Sequence, residues 1–335
     1  MTIKDLAEKT GYGVATVSRV LNNHPNVSEK ARSVILKAVE ESGFQINDNA
    51  KQLKQQRATS ILVVVKGTSN EMFGSLVESI QGEIAKTEYP LLVDYIDEDD
   101  NEVLRAVRLL REKKPLGILI LGGNMDHFKN DFDKIEVPCV LVSSDASDLP
   151  FKNLSSVSTD DFLAAKSAMD SLIELGHRKF AVVGGDRNTS DTGRLRFEGC
   201  LESCLEHGID FDKDKDYIGV RFSYQDGYNA TCALLENERN FTALFAAADV
   251  MAIGAIRALK DKGLSVPEDV SVMGFDGLAL GSFLVPKLST VEQSVHEMAV
   301  RSVGILLDCI ENGGKSRHET VPFVVHQRES TRKIL

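Results

Sequence analysis

The chain has 335 residues, 42% of them hydrophobic, and a formal net charge of -11, a length that suits a small domain beside one large or two medium ones. No apolar run reaches the roughly 18 residues of a membrane span, and Met1-Thr2-Ile3-Lys4-Asp5 lacks the charged-then-apolar pattern of a secretory leader. Five scattered cysteines offer no second Cys/His pair at zinc-site spacing, so free thiols in a reducing cytoplasm, with no metal, cofactor or membrane partner, are expected.

The charge is divided unevenly. Residues 1–60 hold nine Lys/Arg against six Asp/Glu, a net +3, which leaves -14 for the remainder. A mildly basic head can approach a polyanion that the acidic body repels. Within the head, apolar residues recur at Ile3, Leu6 and Ala7, then at Val14, Val17 and Leu21, on either side of Gly11-Tyr12-Gly13. Helical spacing around a glycine turn predicts a helix-turn-helix, whose second helix enters the DNA major groove. The outer face of that helix carries Val14, Ala15, Thr16, Ser18 and Arg19, groups suited to thymine methyls, phosphates and guanine. Ser28 can cap a third helix with the stripe Ala31, Val34, Ile35, Ala38 and Val39, ending near Gly43. An ordinary helical hairpin is the competing reading, and this third helix weighs against it.

Residues 47–57 are polar and basic except for Ala50 and Leu53, a composition that stays disordered as a free linker. Leu53 has two readings: a helix residue resting on the next domain, or an apolar wedge driven between base pairs from the minor groove.

From Ser60 onward, apolar runs at 61–65, 91–96, 117–121, 139–143, 180–184, 217–220, 243–247 and 270–275 read as strands, with a last one at 323–326. Amphipathic stretches at 76–86, 102–112, 162–175, 195–206, 227–236 and 251–262 read as helices between them. Such alternation implies parallel sheets covered on both faces. The pattern starts afresh near Lys179, which predicts two doubly wound lobes and a ligand cleft at the carboxyl ends of their strands. The loops at 94–100 and at Asp276 fit that face.

The run Thr2-Ile3-Lys4-Asp5-Leu6-Ala7, the run Val14 to Asn22, Asn26-Val27-Ser28 and Ala50-x-x-Leu53 resemble the lactose-repressor/galactose-repressor family of bacterial regulators. Further along, Gly176-His177-Arg178, Val182-Val183-Gly184-Gly185, Ala252-Ile253-Gly254-Ala255 and Val266-Pro267-Glu268-Asp269-Val270-Ser271-Val272-Met273-Gly274-Phe275-Asp276 resemble that family's effector domain. The resemblance implies a small all-α helix-turn-helix head over 1–46, a hinge over 47–59, and an α/β two-lobed, periplasmic-binding-protein-like (type I) effector domain over 60–335. The chain would cross between lobes three times, the N-lobe being about 60–160 and 291–321, the C-lobe about 161–290 and 322–335.

The resemblance further implies a homodimer on pseudo-palindromic double-stranded operator DNA. Thr2, Val14, Ala15, Thr16, Ser18, Arg19 and Asn22 of the head would contact it, with Ala50, Lys51 and Leu53 of the hinge. A sugar or sugar phosphate would be the effector, held by Phe73, Arg196, Phe222, Asp276 and Gln293, with Asp160 and Asp249 as further candidates. These residue types suit the task, since charged or amide forks grip vicinal hydroxyls and aromatic faces stack on a ring. The bland alternatives are a solvated arginine, a loop or cap aspartate and two core phenylalanines. Four positions depart from the family's pattern: Gly13 stands where a capping Ser is usual, Lys51 where Arg is commoner, Ala248 where an effector-contacting Asn is common, and Gly277 where a second Asp is common. Ala248 removes an amide fork, which puts the ligand class in doubt.

No enzyme reading fits. Gly313-Gly314-Lys315-Ser316 ends like a phosphate loop, but the motif's first glycine would fall at Cys309 and a helix precedes it. Gly184-Gly185 lacks the dinucleotide spacing, and His177 is expected to be structural. The expected function is an allosteric repressor of carbohydrate-utilisation genes, a dimer without a tetramerising tail. The alternatives are a regulator answering to a protein partner such as a phosphocarrier, and a cytoplasmic solute sensor without DNA activity. Arg196→Ala is expected to abolish the effector response while leaving operator binding intact.

Overall fold

The structure, a computed structural model, describes residues 3–21, 27–42, 59–236 and 241–334. The chain divides into two units, Met1–Arg57 and Ala58–Leu335. In the first, α1 (Ile3–Thr10), α2 (Val14–Leu21) and α3 (Glu29–Ser42) enclose a small core of Leu6, Ala7, Val17, Val20, Ile35 and Ala38. Gly11 takes φ 71 in the turn, a conformation that costs glycine nothing and other residues strain. The Gly13 carbonyl accepts from Thr16 N and Val17 N at 2.8 and 3.1 Å, so glycine starts α2 without a capping side chain. Ser28 Oγ accepts from Ala31 N at 3.4 Å, as the capping expectation has it. One apolar position differs. Val20 joins Val17 in the core, while Val14 at the first residue of α2 is 41% exposed.

The second unit holds two six-stranded sheets. In the first lie β1 (Ile61–Lys66), β2 (Leu91–Ile96), β3 (Gly117–Leu121), β4 (Cys139–Val142), β5 (Leu154–Thr159) and β11 (His318–Val321), in spatial order β11-β5-β4-β3-β1-β2, all parallel. The second has β6 (Phe180–Gly184), β7 (Tyr217–Gly219), β8 (Ala243–Ala246), β9 (Ser271–Asp276), β10 (Ser289–Gln293) and β12 (Phe323–His326), in the matching order β12-β10-β9-β8-β6-β7. Only its β10–β12 pair is antiparallel.

Alternate residues of one strand enter different cores, which is why the strands read as continuous apolar runs. Ile61, Val63 and Val65 of β1 pack beneath α4 (Glu71–Ile84) and α11 (Val295–Asn312). Leu62 and Val64 pack beneath α5 (Glu102–Lys113) and α6 (Met125–Asp131). The second sheet is covered by α7 (Asp161–Glu174) and α8 (Asp191–Glu206) on one face, and by α9 (Tyr224–Glu236) and α10 (Asp249–Asp261) on the other.

The chain passes between the sheets after β5, after β10 and between β11 and β12, where Pro322 separates two strands that join different sheets. Three strands at these passages, β5, β10 and β11, escape the sequence reading because they are polar. Ser155, Ser156, Ser158, Ser289 and Thr290 are buried, and hydroxyl partners meet the cost of burying them: Ser156 Oγ lies 2.8 Å from His318 Nδ1, and Ser289 N donates to Ser330 Oγ at 2.7 Å. His177 is likewise structural, its ring bound to Thr242 Oγ1 at 2.9 Å and Ser271 Oγ at 3.0 Å. Gly313 follows the long helix α11 and caps it at φ 63, so no strand leads into this turn. Among the described residues, no helix is long and apolar enough to cross a membrane.

Helices α9 and α10 touch backbone to backbone. A Cβ on Gly254 would lie 2.1 Å from the Tyr224 carbonyl oxygen, so overpacking there has no flexible side chain to absorb it. Gly254→Ala is expected to cost about 1–3 kcal/mol in denaturant unfolding. A neutral or stabilising result would show that the two helices can separate freely.

Candidate ligand cleft and DNA-facing helix

On α2 Val17 and Val20 turn into the core, Ala15, Ser18 and Arg19 lie on the opposite side, and Val14 and Thr16 flank the core face. Val14, Ala15 and Arg19 are exposed, and Thr16 and Ser18 half-buried. Thr2, Asn22, Ala50, Lys51 and Leu53 lie outside the described residues.

In each sheet the strand order reverses at one place, β1/β3 in the first and β6/β8 in the second. Loops diverge at such switch points and leave a crevice. A cavity of about 510 Å³ lies there, lined by Gly67 after β1, Gly122 after β3, and Asp186 and Ser190 after β6. Phe73 and Phe222 face it from opposite lobes, and each ring needs a glycine beneath it. A Cβ on Gly122 would stand 3.0 Å from the Phe73 ring, and one on Gly185 would stand 2.8 Å from the Phe222 ring.

Of the seven effector candidates, Phe73, Arg196 and Phe222 line this cavity. Asp276 and Gln293 line a second one of about 470 Å³, and Met72 borders both. Asp160 and Asp249 border neither. Asp160 is exposed and caps α7, accepting from Leu163 N at 2.9 Å. Asp249 is wholly buried, accepting from Thr290 Oγ1 at 2.6 Å and Leu278 N at 2.7 Å.

Arg196 is no solvated arginine. It is 4% exposed, donates from Nε to Asp161 Oδ1 at 2.7 Å and from Nη1 to the Ala247 carbonyl at 2.5 Å. Its guanidinium lies 3.7 Å above the centre of the Phe275 ring, with Asp276 Oδ1 3.8 Å from Nη1. Asp276 holds φ 116, a strained value for a side-chain-bearing residue and of a kind that gathers at binding sites. Gln293 Nε2 donates to Asp276 Oδ1 at 2.8 Å, and Thr159 Oγ1 donates to Gln293 Oε1 at 2.8 Å. Two buried polar atoms have no hydrogen-bond partner among the described residues: Asp276 Oδ2, and Ser144 Oγ at the wall of the larger cavity. Two of the four family departures have a local form here. Ala248 starts α10 without a side-chain cap, and a Cβ on Gly277 (φ 78) would lie 2.6 Å from Glu292 Cα.

Apart from Phe73, sequence reasoning missed the N-lobe side of the cavity. Buried Glu102 takes Lys66 Nζ at 2.7 Å, His127 Nδ1 at 2.9 Å and Asn124 N at 2.7 Å. The lobes also bond directly across the cleft: Arg221 to Asp97, Asp191 Oδ2 to Met125 N at 2.8 Å, and Tyr224 Oη to Glu71 at 2.6 Å. These groups are scattered along the chain, and only the Asp97–Asp100 loop carried a signal, its position at a strand end.

Burial pushes the Asp276 carboxyl up to about 6, Arg196 opposing. Burial followed by repulsion from Asp276 pushes Asp249 up to about 8, and burial raises Asp161 against the pull of Arg196. A carboxyl raised in the folded state holds its proton more tightly there than in the unfolded chain. Its contribution to stability is complete below the ordinary value of 3.8 and is lost as pH rises toward about 8 for Asp249. Asp249→Asn, unable to ionise, is expected to escape that loss. The wild type should lose thermal stability relative to the variant between about pH 5 and pH 8; parallel profiles would mean that Asp249 stays ionised throughout.

Comparison with known proteins bears on both units. Residues 2–47 match the bacterial regulatory proteins of the lacI family, and residues 169–331 match a periplasmic binding protein-like domain. The chain is 34% identical over 333 residues to the HTH-type transcriptional regulator MalR of Clostridium butyricum, covering 98% of this chain and 99% of MalR. Its fold is similar to that of the lac repressor dimer bound to operator and the anti-inducer ONPF, with a TM-score of 0.81 and 25% identity over 99% of each chain. It is also similar to the complex of the transcriptional regulator CelR with cellobiose, with a TM-score of 0.73 and 25% identity over 98% of this chain and 99% of that one. An identity of 34% sustained along 98% of the chain takes in head and body alike: the protein belongs to the lacI family of bacterial regulatory proteins, a DNA-binding transcription regulator and not an enzyme.

Proposed function

We propose that this regulator represses carbohydrate-utilisation genes, binding a pseudo-palindromic operator as a homodimer, and that a sugar-like effector in the cleft between its lobes sets its operator affinity. The observation that carries this reading is the cavity itself, where Arg196, two phenylalanine rings and the unpartnered hydroxyl of Ser144 converge at both switch points. The CelR relative holds cellobiose, and the lac repressor holds operator and ONPF together. A ligand touching both lobes binds one lobe arrangement better than another, and that difference is what it can transmit.

A gel shift with the region upstream of its own gene, with and without saccharides, tests the whole reading. Operator binding that no saccharide alters would defeat the effector part; no specific binding would defeat both parts.

Arg19, exposed on α2, is proposed to read a guanine edge. Arg19→Ala is expected to cost about 1–3 kcal/mol and relax preference at one operator position; a uniform loss over all sequences would make it a phosphate contact. Leu53 is proposed as the minor-groove wedge, so that Leu53→Ala lowers specific affinity more than non-specific affinity.

The structure changes the choice of cleft variant. Arg196→Ala would leave Asp161 and Asp276 buried without their cation, a loss of about 3–5 kcal/mol, so it cannot separate response from folding. Phe222→Ala removes a partly buried ring instead. It is expected to weaken effector binding roughly tenfold while operator binding persists; an unchanged response titration would remove Phe222 from the site.

A further inference from the structure

We infer that the cleft filters ligands by charge: it admits an uncharged polyhydroxylated ligand and rejects the phosphate ester of the same sugar, because carboxylates and capping groups already occupy its anion-binding devices. The inference rests on the proposed reading of this cavity as the effector site.

Among the described lining residues the basic groups are Lys66, His127, Arg196 and Arg221, and each is committed. Lys66 and His127 both meet Glu102, whose other oxygen takes Asn124 N. Arg196 is held by Asp161 and the Ala247 carbonyl. Arg221 is surrounded by the loop after β2: it bonds Asp97, with Asp99 at 3.4 Å and Glu98 at 3.9 Å. The loop is braced for this, since Asp97 Oδ1 accepts from Asp99 N at 3.0 Å and Asp100 Oδ2 from Asp97 N at 3.3 Å. Lys66 Nζ also donates to the Asp100 carbonyl. Burial raises the Glu98 carboxyl, with repulsion from Asp99 and Asp97 adding to it and Arg221 opposing.

Helix N-termini are the other way to hold a phosphate, and three reach the cavity, at Asn70, Asn124 and Ser190. All three already carry a side-chain cap. Asn70 Oδ1 takes Met72 N at 3.0 Å, Asn124 Oδ1 takes Asp126 N at 2.9 Å, and Ser190 Oγ takes Gly193 N at 3.0 Å. Asp191 Oδ2 takes Met125 N as well, and Glu71, Asp126 and Asp191 add acid to the first turns. A phosphate, carrying a charge of about -1.5 to -2, would enter a partly desolvated space whose basic side chains each already meet a carboxylate and would lie beside the Glu98 and Asp99 carboxyls. A hydroxyl meets no such barrier. It finds Ser144 Oγ unpartnered and two aromatic faces.

The test is calorimetric titration of the full chain with cellobiose, glucose and ribose, and with cellobiose 6′-phosphate, glucose 6-phosphate and ribose 5-phosphate. Any sugar that binds should exceed its ester by at least about tenfold. In the double variant Asp97→Asn, Asp99→Asn, which removes the two carboxylates nearest Arg221, that ratio should narrow by at least about threefold. An ester that binds as tightly as its parent sugar overturns the charge filter and leaves the sugar-site reading standing. A ratio unmoved in the variant overturns the role given to the acidic loop. If no sugar and no ester binds, the effector reading falls and this inference falls with it.

Discussion

One closed circuit of polar contacts holds the effector domain together where the chain passes between lobes. Thr159, at the end of β5, bonds Gln293, at the end of β10; Gln293 bonds Asp276; Asp276 lies against Arg196; and Arg196 bonds Asp161, two residues beyond Thr159. The circuit therefore ties two inter-lobe passages to the start of α7, the second turn of α8 and the end of β9. Asp161 and Asp276 are buried beside the single guanidinium of Arg196, and buried Asp249 is repelled by Asp276, so full ionisation would leave uncompensated charge in a low-dielectric interior. The raised Asp249 and Asp276 carboxyls express that imbalance. Apolar residues of similar volume would be no less stable there, so stability alone does not explain the arrangement.

The position of the cleft follows from strand order. Both sheets run with the same order, the first strand of each lying next to an edge strand, and both reverse direction beside it. The loops that leave those strands cannot pack on each other and must diverge. Glycines 122 and 185 then decide what fills the gap, because each clears space for one aromatic ring. Phe73 and Phe222 are consequently half-buried wall residues, exposed to the cavity on one side.

Much of this was legible in the sequence because apolar strands buried on both faces leave an uninterrupted pattern, as 61–65 and 117–121 do. The polar strands β5, β10 and β11 carry no such pattern, since Ser, Thr and His supply their burial through side-chain hydrogen bonds that only the tertiary structure reveals. The same holds in the cleft. Arg196 and Asp276 stood in recognisable phrases, whereas Lys66, Glu102, His127 and Arg221 have no local signature and acquire a role only by meeting across separate loops. The family resemblance made Asp249 a candidate ligand contact, yet its carboxyl turns inward to Thr290 and Leu278.

The unpartnered atoms give the circuit a functional meaning that stability does not. Asp276 Oδ2 and Ser144 Oγ are buried without hydrogen-bond partners among the described residues, and each such atom costs about 1–3 kcal/mol in this lobe arrangement. A ligand hydroxyl that reaches either atom would relieve its cost in this lobe arrangement, Ser144 Oγ from the larger cavity and Asp276 from the second. A ligand shifts an equilibrium by its differential affinity alone. Relief of even one such atom, about 1–3 kcal/mol, matches the coupling of roughly 5- to 150-fold that allosteric proteins commonly show. The buried carboxyl and the idle serine hydroxyl are thus a reserve of strain that an effector can release, and by reciprocity operator binding must change the effector's affinity by the same factor.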